Sequence, residues 1–522
     1  MKNQLMNQMN QNMTPIIYLS VKKEIPATGY WDHEFIKDIF KNIPQTNRRV
    51  VVIPGAYQYD CYDKINARLA KIQKVLVIIT SDEECKFNVN ELKHPDMIVY
   101  SQYGNGGKMF PLGYTPNTRK ILKEIGLVDK KIDCFFSGQV THVRRELLVN
   151  ELDNLNNELK CKIIKTDGFG KGLEKKEYLT NLAISKVAPC SPGAVAIDSF
   201  RLYEALEAGA IPIVDDIPPL KSSKDHYWDK LFKNIPFPIY TNPKDVSSLI
   251  NTCVKDKSIA RNVFIWWINW KYQFKEQLKK DLGVAENDMV VVIPVSPIPS
   301  HPSTSIIDET IKTIRVHTNA TIIVTMDGVR KEQEDRLDDY NEFIRKFLWK
   351  CNFEYEDVLP VVFKNHTHQV GMMKAVLDNI SAPTVLYVEQ DTPLTPDRSI
   401  PLNDLIQIIK SKAVDVVRFH FEEVIPEPHK YLMLEQQGYF LKTLQWSQRP
   451  HLASTSYYRH ILNTNFSENA NCFIEDKMHS VVQTHPWEDN KITIFFPKGG
   501  IKRSYNLDGR KNDKKYDKEQ IW

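Results

Sequence analysis

The chain has 522 residues, of which 42% are hydrophobic and 10% aromatic. A chain of this length is too long for one ordinary domain core, and its apolar content is too high for general disorder, so we expect several globular units. Lys and Arg outnumber Asp and Glu by only 69 to 65. Because these charges are not gathered in blocks, the sequence argues against nucleic acid as the main partner.

The eight cysteines form no CxxC pair, and the histidines show no zinc-finger spacing. This favours reduced thiols in a cytoplasmic protein, or in the host cytoplasm if the protein is viral. Residues 1–13 are rich in Asn, Gln and Met and lack the apolar run of a secretory signal, so they predict a disordered tail. No run of about 18 apolar residues occurs, and we therefore expect no membrane span.

Short β-branched runs alternate with amphipathic stretches through the first half of the chain. This alternation predicts parallel sheets with crossover helices, in an N-terminal Rossmann-like half at 14–125 and a second half at 126–278. Two tandem α/β halves that face a cleft make the GT-B arrangement. The run FIWWINW predicts that a helix closes this region with its three tryptophans packed inward.

The second half of the chain predicts one further α/β domain. A charged stretch at 279–288 predicts a linker, and MVVVIPVSP then opens a buried strand. Strands alternate with helices over 289–500, which completes an expected α/β fold class for the whole chain. The basic, glycine-bearing stretch 501–522 predicts a mobile tail.

The segment SKVAPCSPGAVAIDSFRLYEALEAGAIPIVDD resembles the donor-binding half of exostosin-like glycosyltransferases. In that family a Pro/Gly loop after a strand precedes a helix that begins with Ser-x-Arg. A glycine loop and a helix N-terminus can hold a diphosphate through backbone N–H groups. The resemblance implies that Gly193, Ser199 and Arg201 bind a nucleotide-sugar donor, and that Glu204 accepts hydrogen bonds from both ribose hydroxyls.

The segment FFSGQVTHVRREL adds further donor candidates in the same half. Gly138 ends a predicted strand, and Arg144 and Arg145 begin the helix that follows. Guanidinium groups neutralise diphosphate charge well, and the resemblance implies this role here. The alternative is that both arginines lie on a solvated helix face. No catalytic base is identified in this half.

From residue 289 onward, the order of motifs resembles that of family 2-like GT-A glycosyltransferases. VVIPVSP, IIVTMDG, LYVEQDTPL and CFIEDKM follow one another as the motifs of that family do. The resemblance implies a nucleotide-contacting loop at Pro294, Val295 and Ser296. It also implies that Asp327 accepts a hydrogen bond from the base of the donor, while a helix cap is the alternative for this residue.

LYVEQDTPL provides ExD where the family more often has DxD. A nucleoside diphosphate leaving group needs a hard divalent ion held by carboxylates. We therefore expect Mn²⁺ or Mg²⁺ bound by Asp391, with Glu389 in support and both carboxylates on one side of an extended chain. His479 and His485 are further metal-ligand candidates, and Arg510 is a candidate to fold over the diphosphate.

An inverting transferase needs a base that removes the proton of the acceptor hydroxyl. Glu475 and Asp476 open a helix in the position of the family's acid pair, which implies Asp476 as the base and Glu475 as its neighbour. First-turn acids favoured by the helix dipole are the alternative.

The stretch TLQWSQRPHLAS mixes aromatic residues with Arg and His, a composition that suits a sugar acceptor. We take Trp446, Arg449 and His451 as acceptor-site candidates. A core role for Trp446 is equally open.

These expectations combine into a bifunctional glycosyltransferase that transfers sugars from nucleotide-sugar donors to a glycan acceptor. One alternative is a transferase that acts on modified DNA bases. Another is a single active domain, with the first half serving as an acceptor-binding scaffold. A sugar-nucleotide epimerase with a GT-B fold is the third.

Overall fold

The computed structural model describes residues 14–22, 33–155, 158–168, 171–193, 195–216 and 226–507. The chain divides into two compact units, Met1–Ala285 (unit 1) and Glu286–Trp522 (unit 2). The predicted α/β class is confirmed, because both units combine helices with sheets that contain parallel strands. All eight cysteines are free thiols.

Unit 1 contains two five-stranded sheets in its described part. Its strands are β1 (Ile16–Tyr18), β2 (Arg48–Pro54), β3 (Lys74–Thr80), β4 (Met97–Ser101), β5 (Lys108–Met109), β6 (Ile132–Gln139), β7 (Cys161–Thr166), β8 (Ser185–Cys190), β9 (Ile211–Asp215) and β10 (Ile239–Tyr240). Its helices are α1 (His33–Ile39), α2 (Tyr62–Leu69), α3 (Thr118–Ile125), α4 (Val143–Leu155), α5 (Lys175–Ala183), α6 (Phe200–Glu207), α7 (Tyr227–Leu231), α8 (Val246–Lys255) and α9 (Lys257–Leu282).

The first sheet has the order β1-β2-β3-β4-β5, and all of its strands are parallel. β2 and β3 are buried along almost their whole length, which is typical of parallel strands covered on both faces. The second sheet is also parallel, in the order β10-β9-β8-β6-β7. Its chain order reverses between β6 and β8, and in such sheets ligands bind beyond the carboxyl ends of the two strands at this switch point.

Helix α9 closes unit 1. Its N-terminus is capped by Asp256, whose Oδ1 accepts from the N–H of Ser258 at 2.9 Å, and its C-terminus is capped by Gly283 in the left-handed region at φ 77°. Trp267 and Trp270 are buried and stacked 5.3 Å apart, whereas the third tryptophan of the run is partly exposed. The predicted linker therefore starts too early, because its first four residues belong to α9.

Unit 2 is built on one nine-stranded mixed sheet. Its strands are β11 (Met289–Val295), β12 (Ile322–Met326), β13 (Val358–Val362), β14 (Thr384–Tyr387), β15 (Val416–Arg418), β16 (Met433–Gln437), β17 (Phe440–Thr443), β18 (His451–Ser454) and β19 (Ile492–Phe495). Its helices are α10 (Ser305–His317), α11 (Leu337–Phe353), α12 (His368–Leu377), α13 (Leu402–Lys410), α14 (Thr455–Asn465), α15 (Glu475–Thr484) and α16 (Trp487–Asn490).

The strand order in unit 2 is β13-β12-β11-β14-β18-β15-β19-β17-β16. The first four strands are parallel, and β18 runs antiparallel between β14 and β15. Chain order reverses between β11 and β14, so the carboxyl ends of these two strands form a second switch point. A large apolar core packs on one face of this sheet, between β14, β18 and the helices α12, α14 and α15.

The segment 501–507 corrects the prediction of a mobile tail that begins at residue 501. Its backbone is hydrogen-bonded to two other segments of unit 2. The N–H of Arg503 donates to the carbonyl of His420 at 2.7 Å, and the N–H of Leu507 donates to the carbonyl of Asp391 at 2.8 Å. The first residues of this segment are basic and follow two glycines, which is typical of a mobile tail. Their backbone is nevertheless hydrogen-bonded, since Lys502 forms a β-bridge with His420.

None of the helices in the described ranges combines the length and the apolar character needed to cross a membrane.

Candidate active sites in the two units

In unit 1, Gly138 and Arg201 meet at the switch point of the second sheet. The guanidinium of Arg201 reaches back from α6 and donates to the carbonyl of Ser137 at 2.8 Å and to Oγ of Ser191 at 3.2 Å. A Cβ on Gly138 would lie 2.7 Å from Nη2 of Arg201, so a side chain at this position would displace the end of the Arg201 side chain. Arg201 thereby links the ends of β6 and β8 at the predicted donor crevice.

Arg145 has a structural role that the sequence does not predict. Its Nε and Nη2 donate to the carbonyl of Pro192 at 3.1 and 2.7 Å, and its Nη1 donates to the carbonyl of Gln139 at 3.1 Å. Burial, followed by the charge of Arg201, lowers the pKa of Arg145 to about 10. Both predicted roles, diphosphate ligand and solvated surface residue, need correction, because this buried group fixes the loop after β8.

Arg144 is neutralised within the protein. Its Nε and Nη2 donate to the two carboxylate oxygens of Asp215 at 3.1 and 2.6 Å, in a bidentate pair at the end of β9. The Asp215 side chain is buried, so this ion pair is shielded from solvent. A donor diphosphate would have to compete with Asp215 for this guanidinium.

Glu204 is engaged by neighbouring side chains. Its Oε1 accepts from the hydroxyls of Thr115 and, at 3.4 Å, Thr118, and Nζ of Lys175 lies 2.5 Å from the Thr115 hydroxyl. Burial raises the pKa of the Glu204 carboxyl, against the Thr115 hydrogen bond and the Lys175 charge, which both lower it. The ribose role of Glu204 stays a prediction, and ribose hydroxyls would have to compete with those of Thr115 and Thr118 for this carboxylate.

Gly193 and Ser199 lie on the loop between β8 and α6. The N–H of Gly193 donates to the carbonyl of Ala196 at 2.9 Å, which closes a tight turn. Ser199 is the N-cap residue of α6, and its side chain makes no capping hydrogen bond to the described part of the helix. The first N–H groups of α6 are therefore not taken up by this hydroxyl, and the positive end of the helix dipole lies beside Arg201.

In unit 2, the ExD motif follows β14 as a turn. The N–H of Thr392 donates to the carbonyl of Glu389 at 3.1 Å, so Glu389 and Asp391 do not lie on an extended chain as predicted. Oε1 of Glu389 accepts from Nε2 of Gln369 at 2.9 Å and lies 3.5 Å from the Tyr387 hydroxyl. Burial, followed by the charge of Asp391, raises the pKa of Glu389 to about 8.

The predicted nucleotide loop lies next to this turn. The carbonyl of Ser296 accepts from Nε2 of Gln390 at 3.3 Å, which joins the carboxyl ends of β11 and β14 at the switch point. Pro294 and Val295 are buried within β11, and the carbonyl of Val295 accepts from the N–H of Asp327 at 2.9 Å. Of the three predicted loop residues, only Ser296 lies beyond the strand.

Asp327 acts as a cap for α12, which was the alternative to base recognition. Its Oδ1 accepts from the N–H groups of Gly328 and Thr367 at 2.9 and 2.7 Å, and its Oδ2 accepts from that of His368 at 3.0 Å. Nδ1 of His366 lies 2.8 Å from Oδ2. A donor base would have to displace one of these partners, so the predicted hydrogen bond to the base needs correction.

Gln369, which the sequence analysis does not single out, joins the ExD motif to the acid pair. Its Nε2 donates to Glu389, and its Oε1 accepts from the N–H of Ile474 at 3.3 Å. Glu475 and Asp476 follow directly at the start of α15, and both are exposed. The amide of Gln369 thus brings together the predicted metal motif and the predicted base.

Two of the three acceptor candidates belong to the core. Trp446 is 2% exposed and His451 is fully buried, with its ring centroid 5.0 Å from that of Tyr387 and 5.7 Å from that of Tyr458. Burial lowers the pKa of His451 to about 4, so it is a neutral core histidine. The prediction for His451 is wrong, and the core alternative describes Trp446.

Arg449, the third candidate, is partly exposed, and its guanidinium stacks 4.0 Å from the ring centroid of Phe421.

The two predicted metal histidines make contacts with their own helix. His479 pairs with Gln483 at 2.7 Å, and the exposed His485 lies 2.8 Å from the carbonyl of Val481. Over the described ranges, no three His, Cys, Asp or Glu side chains converge as metal ligands.

The two carboxylates of the ExD turn fit a different coordination. Mg²⁺ is commonly held by one or two carboxylates together with substrate phosphates. Asp391 and Glu389 match that pattern. Arg510, the diphosphate candidate, lies outside the described residues.

Comparison with known protein families identifies a match over part of the chain. Residues 120–289 match the RXYLT1 C-terminal domain, which belongs to a xylosyltransferase family. The matched stretch contains the whole second sheet of unit 1, including Gly138, Gly193, Ser199 and Arg201. It covers less than half of the chain, and it supports a glycosyltransferase-like protein in this region. No curated protein matches the chain.

Solved structures show distant likeness. The S. aureus TarS 1–349 structure in complex with UDP-GlcNAc has 13% identity and a TM-score of 0.27, with 42% of this chain and 57% of that chain covered. UDP-glucose pyrophosphorylase complexed with UDP-glucose has 10% identity and a TM-score of 0.28, with 43% of this chain and 94% of that chain covered. The matched regions span less than two thirds of the TarS chains.

Proposed function

We propose that the protein is a nucleotide-sugar-dependent glycosyltransferase, with a GT-A-like active site in unit 2 and a GT-B-like donor site in unit 1. The observation that carries the proposal is the bridge made by Gln369, which holds Glu389 close to the helix that begins with Glu475 and Asp476. A carboxylate pair for a metal and an acid for proton removal are the two requirements of metal-dependent sugar transfer.

In unit 2, the donor diphosphate lies at the switch point between Ser296 and Asp391. A divalent ion held by Asp391, with Glu389, would neutralise the charge that develops on the leaving diphosphate. Asp476 accepts the proton of the acceptor hydroxyl as that oxygen attacks the anomeric carbon from the opposite side, so the transfer inverts configuration. Asp476 suits this role because it is exposed and can be reached by an acceptor.

In unit 1, a second donor lies at the switch point between β6 and β8. The uncapped N-terminus of α6, the loop at Gly193 and the guanidinium of Arg201 would hold its diphosphate. The match of residues 120–289 to a glycosyltransferase family supports this site. The whole protein would then add two sugars in succession from two donors.

A second candidate function is a unit 1 that binds the acceptor as a scaffold and leaves catalysis to unit 2. The contacts of Glu204 and Arg145 favour the scaffold function. The resemblance assigns both side chains to the donor, but both are hydrogen-bonded to other groups of the protein. The two candidates differ in the number of donors that are turned over.

The test is a screen for release of nucleoside diphosphate from a panel of nucleotide sugars, with and without Mn²⁺. Asp391→Asn is expected to reduce metal-dependent turnover of one donor roughly 100-fold or more, because it removes a charged ligand. Ser199→Asp keeps a good N-cap but places a negative charge at the diphosphate position, so it is expected to abolish turnover of the other donor.

Ser199→Asn is the matched neutral control and retains that activity. If Ser199→Asp leaves every donor unaffected, unit 1 is a scaffold. If wild type turns over no donor, the glycosyltransferase proposal fails.

A further inference from the structure

Two arginines of unit 2 carry a charge that is not balanced by an ion pair within the described ranges. Arg418, at the end of β15, is 4% exposed, and its Nη1 donates to the carbonyl and side-chain oxygens of Gln445 at 3.0 and 3.2 Å. Its Nε is buried without a hydrogen-bond partner in the described structure. Among the described residues, the guanidinium of Arg449 stacks on Phe421 and makes no ion pair.

An unpaired buried guanidinium is costly. Burial lowers the pKa of Arg418 to about 10, yet the group still carries its charge at neutral pH. The charge of Glu475, at the start of α15, counteracts this shift and raises the pKa of Arg418. The charge of Arg449 lowers that pKa further. Burying a cation without a partner costs several kcal/mol, so an anion bound beside Arg418 would remove a penalty that the protein otherwise bears.

The sheet register places Arg418 on the same face of the sheet as Tyr387 and His451. Tyr387 of β14 and Arg418 of β15 are each directly opposite His451 of β18, and directly opposed residues project to the same face. Glu389 follows the end of β14 by two residues, and Arg449 precedes the start of β18 by two residues.

Arg418 lies two strands away from β14 along the same edge of the sheet. The nucleotide loop and Asp391 lie at the carboxyl ends of β11 and β14, whereas Arg418 lies on the far side of β14, beyond β18. Glu475, at the start of α15, is the carboxylate whose charge acts on Arg418. A group held by both arginines would therefore belong to the molecule whose hydroxyl is activated.

We propose that Arg418 and Arg449 form an anion-binding subsite for the acceptor, which carries a phosphate or a carboxylate near the hydroxyl that receives the sugar. The inference rests on the proposed function of unit 2 and adds the chemical class of its acceptor. Guanidinium groups suit both anions because their planar N–H donors match two oxygens at once.

The experiment is calorimetric titration of the full chain. Binding of UDP in the presence of Mg²⁺ is measured first, and inorganic phosphate, glucuronate and glucose are then titrated with the nucleotide at saturation. Wild type is expected to bind phosphate or glucuronate but not glucose. Arg418→Gln and Arg449→Gln should each weaken anion binding roughly tenfold or more, the effect of losing one charge-assisted contact.

Arg345→Gln is the control, because Arg345 is paired with Glu342 on the surface of α11 and should not change anion binding. Arg449→Gln keeps the test decisive if loss of the buried Arg418 prevents folding. Binding of phosphate alone identifies a phosphorylated acceptor, and binding of glucuronate alone identifies an acidic sugar.

The inference is overturned if wild type binds neither anion, if the nucleotide displaces the anion, or if Arg449→Gln binds as tightly as wild type. Failure of the proposed function shows separately, as the absence of nucleotide binding.

Discussion

Asp198 is a buried carboxyl group that precedes the N-cap of α6. Its Oδ2 accepts from the hydroxyls of Tyr203 at 2.8 Å and Tyr227 at 3.1 Å, whereas its Oδ1 is buried without a partner among the described residues. Burial raises the pKa of Asp198 to about 7. The folded protein therefore keeps a proton there that the unfolded chain releases near pH 4.

This shift predicts that unit 1 loses stability as the pH rises from about 4 to 7, because the unfolded state binds fewer protons in that window. For one group the slope approaches about 1.4 kcal/mol per pH unit. Asp198→Asn should remove this slope. Urea unfolding followed by tryptophan fluorescence at several pH values measures it, and subtracting the variant from wild type cancels the other titrating groups. Parallel pH profiles for the two proteins would contradict the prediction.

Single residues also show where sequence reasoning stops. The motifs correctly locate the strand ends, since Gly138, Ser296 and Asp391 all lie at switch points. The partners of each side chain were not predictable, because they come from distant segments: Glu204 meets Thr115, and Glu389 meets Gln369. A motif identifies the residue types that the chemistry needs. Tertiary packing decides whether those side chains can contact a ligand or are hydrogen-bonded to other protein groups.

At the scale of elements, the parallel strands were predictable and the antiparallel ones were not. Four of the parallel strands have mostly apolar sequences, which predict burial on both faces: β2, β3, β11 and β12. β18 has only four residues, and its position in the sheet is set by antiparallel pairing with β14 and β15, which are distant in sequence. The hairpin of β16 and β17 is mostly exposed along β16, so its sequence lacks the apolar signal.

The turn after β12 depends on Gly328. A Cβ there would lie 2.2 Å from the carbonyl carbon of Asn365 and 2.4 Å from the backbone nitrogen of His366. Gly328→Ala must therefore push away the loop that leads into α12, and we expect a loss of stability of about 1–3 kcal/mol or more together with reduced donor turnover.

Thermal unfolding and the donor assay test this expectation. Gly438→Ala is the control: Gly438 has a positive φ of 57°, but a Cβ there meets no atom within 4 Å. That variant should lose only about 1 kcal/mol and keep its activity. Equal stability and activity in the two variants would show that the loop yields without cost.

At the scale of the whole molecule, two compact units follow each other along the chain. Residues 285–287, which join them, are exposed. A Cβ added at Gly283, just before them, would meet no atom within 4 Å. Exposed connections of small and polar residues are preferred sites of proteolysis.

We expect limited digestion by a Glu-specific protease to cleave preferentially after Glu286 and to leave fragments that correspond to the two units. Mass spectrometry identifies the cut, and Glu286→Gln should abolish it. An unchanged fragment pattern in that variant would mean that the junction is protected.

The backbone contact between Leu507 and Asp391 also sets an order of events during synthesis. The described strands of unit 1 are complete once Tyr240 has been made, so that unit can begin to fold while the ribosome is still translating unit 2. The turn that carries Asp391 receives its backbone partner only after residue 507 has left the exit tunnel. Metal-dependent donor turnover is therefore expected as a late event, after the polypeptide has moved well past its last strand.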